Sequence, residues 1–408
     1  MEKRQIAILM WGARLALTVA VMLGCSGCRH DVVVDFPGGE KPGGSDPDPK
    51  PDDTEAPAGF YLLNQGNMGM NKASIDYYDY SDGVYTRNIY TRANPDAVMA
   101  LGDVGNQIRI HDGKLWAIIN CSNKVEVMRA SDCRRIGQVN IPNCRYMAFD
   151  GDYVYITSYA GPVLIDDDYN QLGYVSKVNI STLQEEARCT VRFQPDGIAV
   201  SPGKIYVANS GGYRPNNYEK TLSVIDIASF TVDREVELGI NLNQVVADDR
   251  GRIWVSSRGD YYDVAPHVYC YDPSSGKVEK VYDTDASSMW LDGDRLYMLG
   301  NTFSYDTMET QAVYTVVDTP TGAILQSGWK GDGIPGWEGA PEFDNIKTPY
   351  SVAVDPARGN IYVTDAGNYV NPGYIYAFSS TGRYLWRQRT GDVPASIAFY
   401  YSEEDEEE

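Results

Sequence analysis

One strand phrase recurs seven times along the chain: apolar, aromatic, apolar, any residue, then a small or polar one. Its copies are Phe60-Tyr61-Leu62-Leu63-Asn64, Leu115-Trp116-Ala117-Ile118-Ile119-Asn120, Val154-Tyr155-Ile156-Thr157-Ser158, Ile205-Tyr206-Val207-Ala208-Asn209, Ile253-Trp254-Val255-Ser256-Ser257, Leu296-Tyr297-Met298-Leu299-Gly300 and Ile361-Tyr362-Val363-Thr364-Asp365. The aromatics stand 55, 39, 51, 48, 43 and 65 residues apart. A period of that length, carried by short alternating strands, is the mark of blades arranged around an axis. Each copy has a short apolar strand and a tight turn before it, as in Ile198-Ala199-Val200-Ser201-Pro202-Gly203. An alternating strand such as Val268-Tyr269-Cys270-Tyr271-Asp272 follows, then a polar one such as Arg135-Ile136-Gly137-Gln138-Val139. Four strands per repeat make one antiparallel blade, so the expected fold is an all-β, seven-bladed propeller over residues 59–401.

The chain ends say how the ring closes. The first repeat begins directly with its second strand at Phe60, and the last is followed by an orphan first strand, Pro394-Ala395-Ser396-Ile397-Ala398-Phe399. Pairing the two hides two sheet edges that would otherwise invite aggregation. The expected register sets Ala398 beside Leu62.

The two faces of such a wheel should differ. Loops between strands 1–2 and 3–4 of each blade emerge on one face, and here they are terse turns such as Asp112-Gly113, Pro202-Gly203 and Thr381-Gly382. The 2–3 loops and the inter-blade loops emerge on the other face, and they are long and rich in Tyr, Asn, Gly and Asp. They supply Tyr159, Tyr213, Arg214, Arg258, Tyr261, Tyr305, Tyr369 and, from the longest inter-blade loop, Trp337. Aligning the first strands puts Asn106, Arg145, Asp196, Gln244, Ser287, Tyr350 and Ala395 at the mouth of the central channel. Flat aromatic surface interleaved with hydrogen-bonding groups suits recognition of an irregular ligand. Accordingly Asn106, Arg145, Tyr159, Asp196, Tyr213, Arg214, Gln244, Arg258, Tyr261, Tyr305, Trp337, Tyr350 and Tyr369 are the candidate ligand-binding residues.

Composition narrows the function. Lys and Arg number 35 against 56 Asp and Glu, a formal charge of −21, which argues against nucleic acid or an anionic lipid surface as partner. Tyr is present 31 times against 9 Phe, and there are three histidines, His30, His111 and His267. The mouth ring holds one carboxylate, where a metal-dependent propeller hydrolase needs several oxygen ligands. Ala208-Asn209-Ser210-Gly211-Gly212 does not make a nucleophile elbow. The expectation is a non-catalytic binding protein with neither metal nor cofactor. Asp166-Asp167-Asp168 reads as a solvated acidic loop, with calcium as the alternative. Cys121, Cys133, Cys144, Cys189 and Cys270 leave disulfide pairing open, and Cys121 with Cys144 is sterically permitted.

Residues 1–24 pair a basic start with an apolar run too short to span a bilayer, which reads as a signal peptide. It ends at Met22-Leu23-Gly24-Cys25, with Cys28 close behind. This resembles a bacterial lipoprotein signal, with Cys25 lipidated and Cys28 as the alternative. Residues 25–58 then read as a Pro/Gly-rich tether, and residues 402–408 as an acidic tail.

The opening stretch Tyr61-Leu62-Leu63-Asn64-Gln65-Gly66-Asn67-Met68-Gly69-Met70-Asn71 resembles that of YncE-like, DUF5074-type propeller lipoproteins of the Bacteroidetes. So do Ala208-Asn209-Ser210-Gly211-Gly212-Tyr213 and Asp365-Ala366-Gly367-Asn368-Tyr369. The BtuG-type surface lipoproteins are similar, and that resemblance implies capture of cobalamin and transfer to a TonB-dependent outer-membrane transporter. It implies a lipid-anchored outer-membrane location, with the decorated face gripping a corrin ring. A glycan-binding lipoprotein of a nutrient-uptake system and a propeller hydrolase or lyase built on Asp196 are the alternatives.

Overall fold

A computed structural model describes residues 39–43, 56–97, 100–168, 170–304, 309–331 and 334–402. The signal segment, Cys25, Cys28, most of the tether, Tyr305 and the acidic tail beyond Ser402 lie outside them. Within these residues the chain forms seven four-stranded antiparallel sheets. Blade 1 is composite: the C-terminal strand Pro394–Tyr400 lies innermost, followed by Gly59–Asn64, Ser74–Asp79 and Val84–Thr86. The ring therefore closes as the chain ends imply. Its register differs from expectation by one residue, because Leu62 faces Ile397 while Ala398 faces Tyr61.

Blades 2 to 7 follow in chain order, with first strands Gly105–His111, Cys144–Asp150, Pro195–Ser201, Leu242–Ala247, Ser288–Asp292 and Pro349–Val354. The recurring aromatics explain the packing between them. Trp116, Trp254, Tyr155, Tyr362, Tyr61, Tyr206 and Tyr297 are all buried. They sit in apolar clusters that join neighbouring blades; Trp116, for example, lies among Val154, Ile156 and Met147 of blade 3. A wide ring at this position covers the face of its own sheet and part of the next, so one residue per repeat packs each blade against its neighbour.

A bulge shapes the top of the channel. In six blades the first strand loses register just after its first paired residue, as between Cys144 and Met147 or Pro195 and Ile198. Such bulges re-aim side chains and leave backbone groups without ladder partners. Neighbouring blades satisfy those groups. The Met147 amide donates to Gln107 of blade 2, Val352 to Ser288 of blade 6, and Ile108 to Ser396 of blade 1, at 2.8–3.2 Å. The fourth residue of the strand phrase has the same duty in blades 3 and 7. Thr157 Oγ1 accepts the Tyr146 amide and donates to the Asp196 carbonyl, and Thr364 does likewise for Ser351 and Pro394.

Two segments depart from simple blade loops. Glu40, within the expected tether, bridges to Tyr85 and so covers the outer edge of blade 1. Side chains of the long connection 328–348 pack between blades 6 and 7. Trp337 lands against Gly382, in a turn of the plain face. There the backbone has φ +80°, and a Cβ would strike the indole. Trp329 stacks on Phe343 at 4.2 Å and completes the cluster with Tyr314 and Phe378. Trp337 therefore fills a blade interface and is no part of the upper rim, contrary to expectation.

Candidate functional site

The seven first strands begin around one opening, and their bulged register decides which side chains reach it. Counting from the paired residues Gly105, Cys144, Pro195, Leu242, Pro349 and Pro394 brings Asn106, Arg145, Asp196, Asn243, Tyr350 and Ala395 into equivalent places. Blade 5 thus contributes Asn243, where Gln244 was expected. Gln244 occupies the following position, equivalent to Tyr146 and Gly197. It still reaches the opening, donating from Nε2 to the Tyr146 hydroxyl at 3.2 Å. It does so past Gly197, where any side chain would collide with the Asn243 carbonyl.

Asp196 is the hub. Its Oδ1 accepts from Arg145 Nε at 3.1 Å and from the Tyr159 hydroxyl at 2.7 Å, and its Oδ2 accepts from Arg258 Nη1 at 2.9 Å. Arg258 Nη2 donates to Asn243 Oδ1 at 2.6 Å. The Arg145 guanidinium also lies 4.8 Å from the Tyr159 ring centre. Burial alone would push the Asp196 carboxyl upward. The charges of Arg145 and Arg258, with the Tyr159 hydroxyl, more than offset this and hold it below the usual carboxylate range. Burial works against charge on Arg258 as well, and the Asp196 carboxylate more than reverses that effect.

A second carboxyl stands nearby without such support. Asp285, in the connection entering blade 6, accepts the Asn301 amide at 3.0 Å. Burial raises it to about 6, against the smaller opposing pull of that hydrogen bond and of Arg258. Across the opening Tyr350 donates to Gln65 and meets the Tyr369 ring edge-on at 6.1 Å.

The other expected residues divide. Tyr213 touches Tyr159 at 6.2 Å between ring centres. Tyr261 and Tyr369 are about half exposed on upper loops. Asn106 donates to the Arg145 carbonyl at 3.4 Å. Arg214 is otherwise engaged: its guanidinium lies over Phe193 at 3.9 Å and beside Glu219 at 3.8 Å. Sequence reasoning missed Tyr146, Asn243 and Asp285. The first two sit one residue from aligned positions, and only the bulge reveals their place.

Around this polar opening the upper loops expose apolar side chains: Met68 and Met70 in blade 1, Leu164 and Ile165 in blade 3, and Val370 in blade 7. The acidic loop is tied down, with Asp167 accepting from the Asn216 amide. Among the described residues no three His, Cys, Asp or Glu side chains converge as a metal site. Cys121 and Cys144 are free thiols, as are Cys133, Cys189 and Cys270.

The pattern of the family described as a domain of unknown function, DUF5074, matches residues 58–322. The chain belongs to the DUF5074 family. No functionally curated protein matches it. Among solved structures, this DUF5074 chain is similar to hydrazine synthase of Kuenenia stuttgartiensis, with a TM-score of 0.56 and 18% identity. That likeness covers 72% of this chain and 89% of the other. It is also similar to a quinonprotein alcohol dehydrogenase-like protein of Bacteroides thetaiotaomicron, with a TM-score of 0.52 and 14% identity, covering 84% and 78%. At such identities the likeness speaks for the propeller alone.

Proposed function

We propose that this DUF5074 propeller is a non-catalytic binding protein of the cell envelope, anchored by lipid on Cys25 or Cys28. It captures a cobalamin-like corrinoid on its upper face and passes it to a TonB-dependent outer-membrane transporter. The observation that carries this reading is the one-sided surface: a mouth of fixed donors and acceptors encircled by exposed Tyr261, Tyr369, Met68 and Val370. A corrinoid is broad and flat, with amide arms at its margin. Aromatic and thioether surfaces suit the macrocycle, and Asn, Gln and Arg suit the arms. Asp196, the acid a hydrolase or lyase would use, is already bonded to two arginines and a tyrosine. This favours binding over catalysis, because three donors, two of them cationic, already engage the carboxylate and lower its basicity towards a substrate proton.

Calorimetric titration of the purified protein with cyanocobalamin tests the assignment. One-to-one uptake, with co-migration on a sizing column, is expected. Absence of heat and of co-migration removes the corrinoid. A glycan bound instead, with its affinity lost in Tyr261→Ala, moves the ligand to the sugar class, for which the exposed tyrosines would be the platforms.

A further inference from the structure

Two arginines share one carboxylate at the mouth, and this leaves guanidinium donors without acceptors. Arg145 uses Nε on Asp196; among the described residues neither of its terminal nitrogens has a hydrogen-bond acceptor. Its side chain is 15% exposed and that of Arg258 26%, so both reach solvent on the mouth side. Tyr146 accepts from Gln244, which leaves its own hydroxyl proton to give. In a chain with formal charge −21 this is a local excess of donors over acceptors, with buried Asp196 beneath it as the fixed counter-charge.

We propose that the terminal nitrogens of Arg145, whose guanidinium carbon lies 6.0 Å from the Tyr146 ring centre, bind together with the Tyr146 hydroxyl a single oxyanion, a phosphate or carboxylate group carried by the captured ligand. The proposal rests on the reading that the mouth is a ligand site. A planar guanidinium held at Nε presents its two outer N–H groups as a fork, which matches two oxygens of one phosphate or carboxylate. Asp196 and Tyr159 hold that fork in place before the ligand arrives, so little is lost in ordering it. The strongly acidic surface disfavours polyanions, which selects a ligand with one anionic group on an otherwise neutral body.

Methyl phosphate and acetate, titrated separately into the purified protein by calorimetry, separate the two sources of the group. Uptake of one equivalent of either is expected. It should weaken roughly tenfold or more in Arg145→Met and roughly fivefold in Tyr146→Phe. Tyr146→Phe leaves the Asp196 ion pairs intact and so tests the site even if Arg145→Met fails to fold. No uptake of either anion, or uptake indifferent to both substitutions, overturns the site. Parallel titrations with cyanocobalamin and with dicyanocobinamide, which lacks the phosphate-bearing arm, keep the two readings apart. Anion uptake through Arg145 without corrinoid uptake sinks the corrinoid and keeps the oxyanion site. Equal uptake of both corrinoids by a protein blind to methyl phosphate and acetate does the reverse.

Discussion

The two halves of the channel mouth are built on one backbone geometry and carry opposite chemistry. Blades 3 to 5 supply Arg145, Asp196 and Asn243, with Arg258 and Tyr159 leaning in from their loops. Blades 6, 7 and 1 supply Ser287, Tyr350 and Ala395 at the equivalent places. The strands and inter-blade hydrogen bonds are nearly repeated around the ring, and the bulge recurs in every blade but the sixth, so the difference lies mainly in side chains. The lesson is that the repeat builds the frame while single departures from it build the site. A half with two arginines and Asp196 at the mouth, facing one whose mouth positions Ser287, Tyr350 and Ala395 are uncharged, also gives the opening a direction, which would orient a ligand with one polar end.

Four substitutions break or sharpen that contrast. The largest effect is expected from Asp196→Asn, which leaves Arg145 and Arg258 facing one another with no counter-charge. Loss of about 3–5 kcal/mol follows from removing one partner of a buried pair. Urea unfolding measures it, and a loss below about 1 kcal/mol would show that the charged half is not held together by this carboxylate.

Asp285→Asn should act in the opposite sense. The native carboxyl is raised to about 6 from an unfolded value near 3.8. The folded state therefore binds the extra proton between those values, and stability falls as pH rises through the window. The penalty is complete above about pH 7 and absent below about pH 3. Replacing the acid by a neutral amide should stabilise the protein by about 1–3 kcal/mol at pH 8 and hardly at all at pH 3. Denaturation midpoints of both proteins across pH check it; a gain at pH 3 equal to that at pH 8 would rule out titration of Asp285 as the cause.

On the neutral side, Tyr350→Phe removes the hydrogen bond to Gln65 and nothing charged. About 1 kcal/mol of stability should go, well under the Asp196 value. An effect as large as that of Asp196→Asn would erase the contrast between halves. Smallest in stability is Tyr369→Ala, at about half a kcal/mol or less, since the ring is about half exposed. Its effect belongs in ligand affinity, read by titration with cyanocobalamin.

The wheel was legible because its cause is periodic: one aromatic per repeat, buried between sheets, must recur at blade spacing. Closure was legible from an unpaired strand at each end. What failed was local. The bulge shifts side chains by one place without altering the apolar alternation, so Gln244 was read where Asn243 stands. Its place between blades made the 328–348 connection look like part of the rim, and nothing in its composition told that Trp329 and Trp337 would pack with Phe343 and Tyr314. Arg214 shares its loop with residues of the mouth, and only geometry shows it turned to Glu219. Asp285 escaped notice because it precedes its strand, in a connection with no aromatic to mark it.

Pairing of Pro394–Tyr400 with Gly59–Asn64 ties the beginning of the wheel to its end. During synthesis the strand Gly59–Asn64 emerges with its inner edge bare and keeps it bare until the other six blades have been made. Contacts so distant along the polymer form late and slowly. Loss of even the final strand would leave blade 1 open on its inner side, so a ribosome that stops early yields a product with a sticky seam. Such a seam is a template for pairing with another chain, so the last strand shields the inner edge of blade 1 from edge-to-edge association.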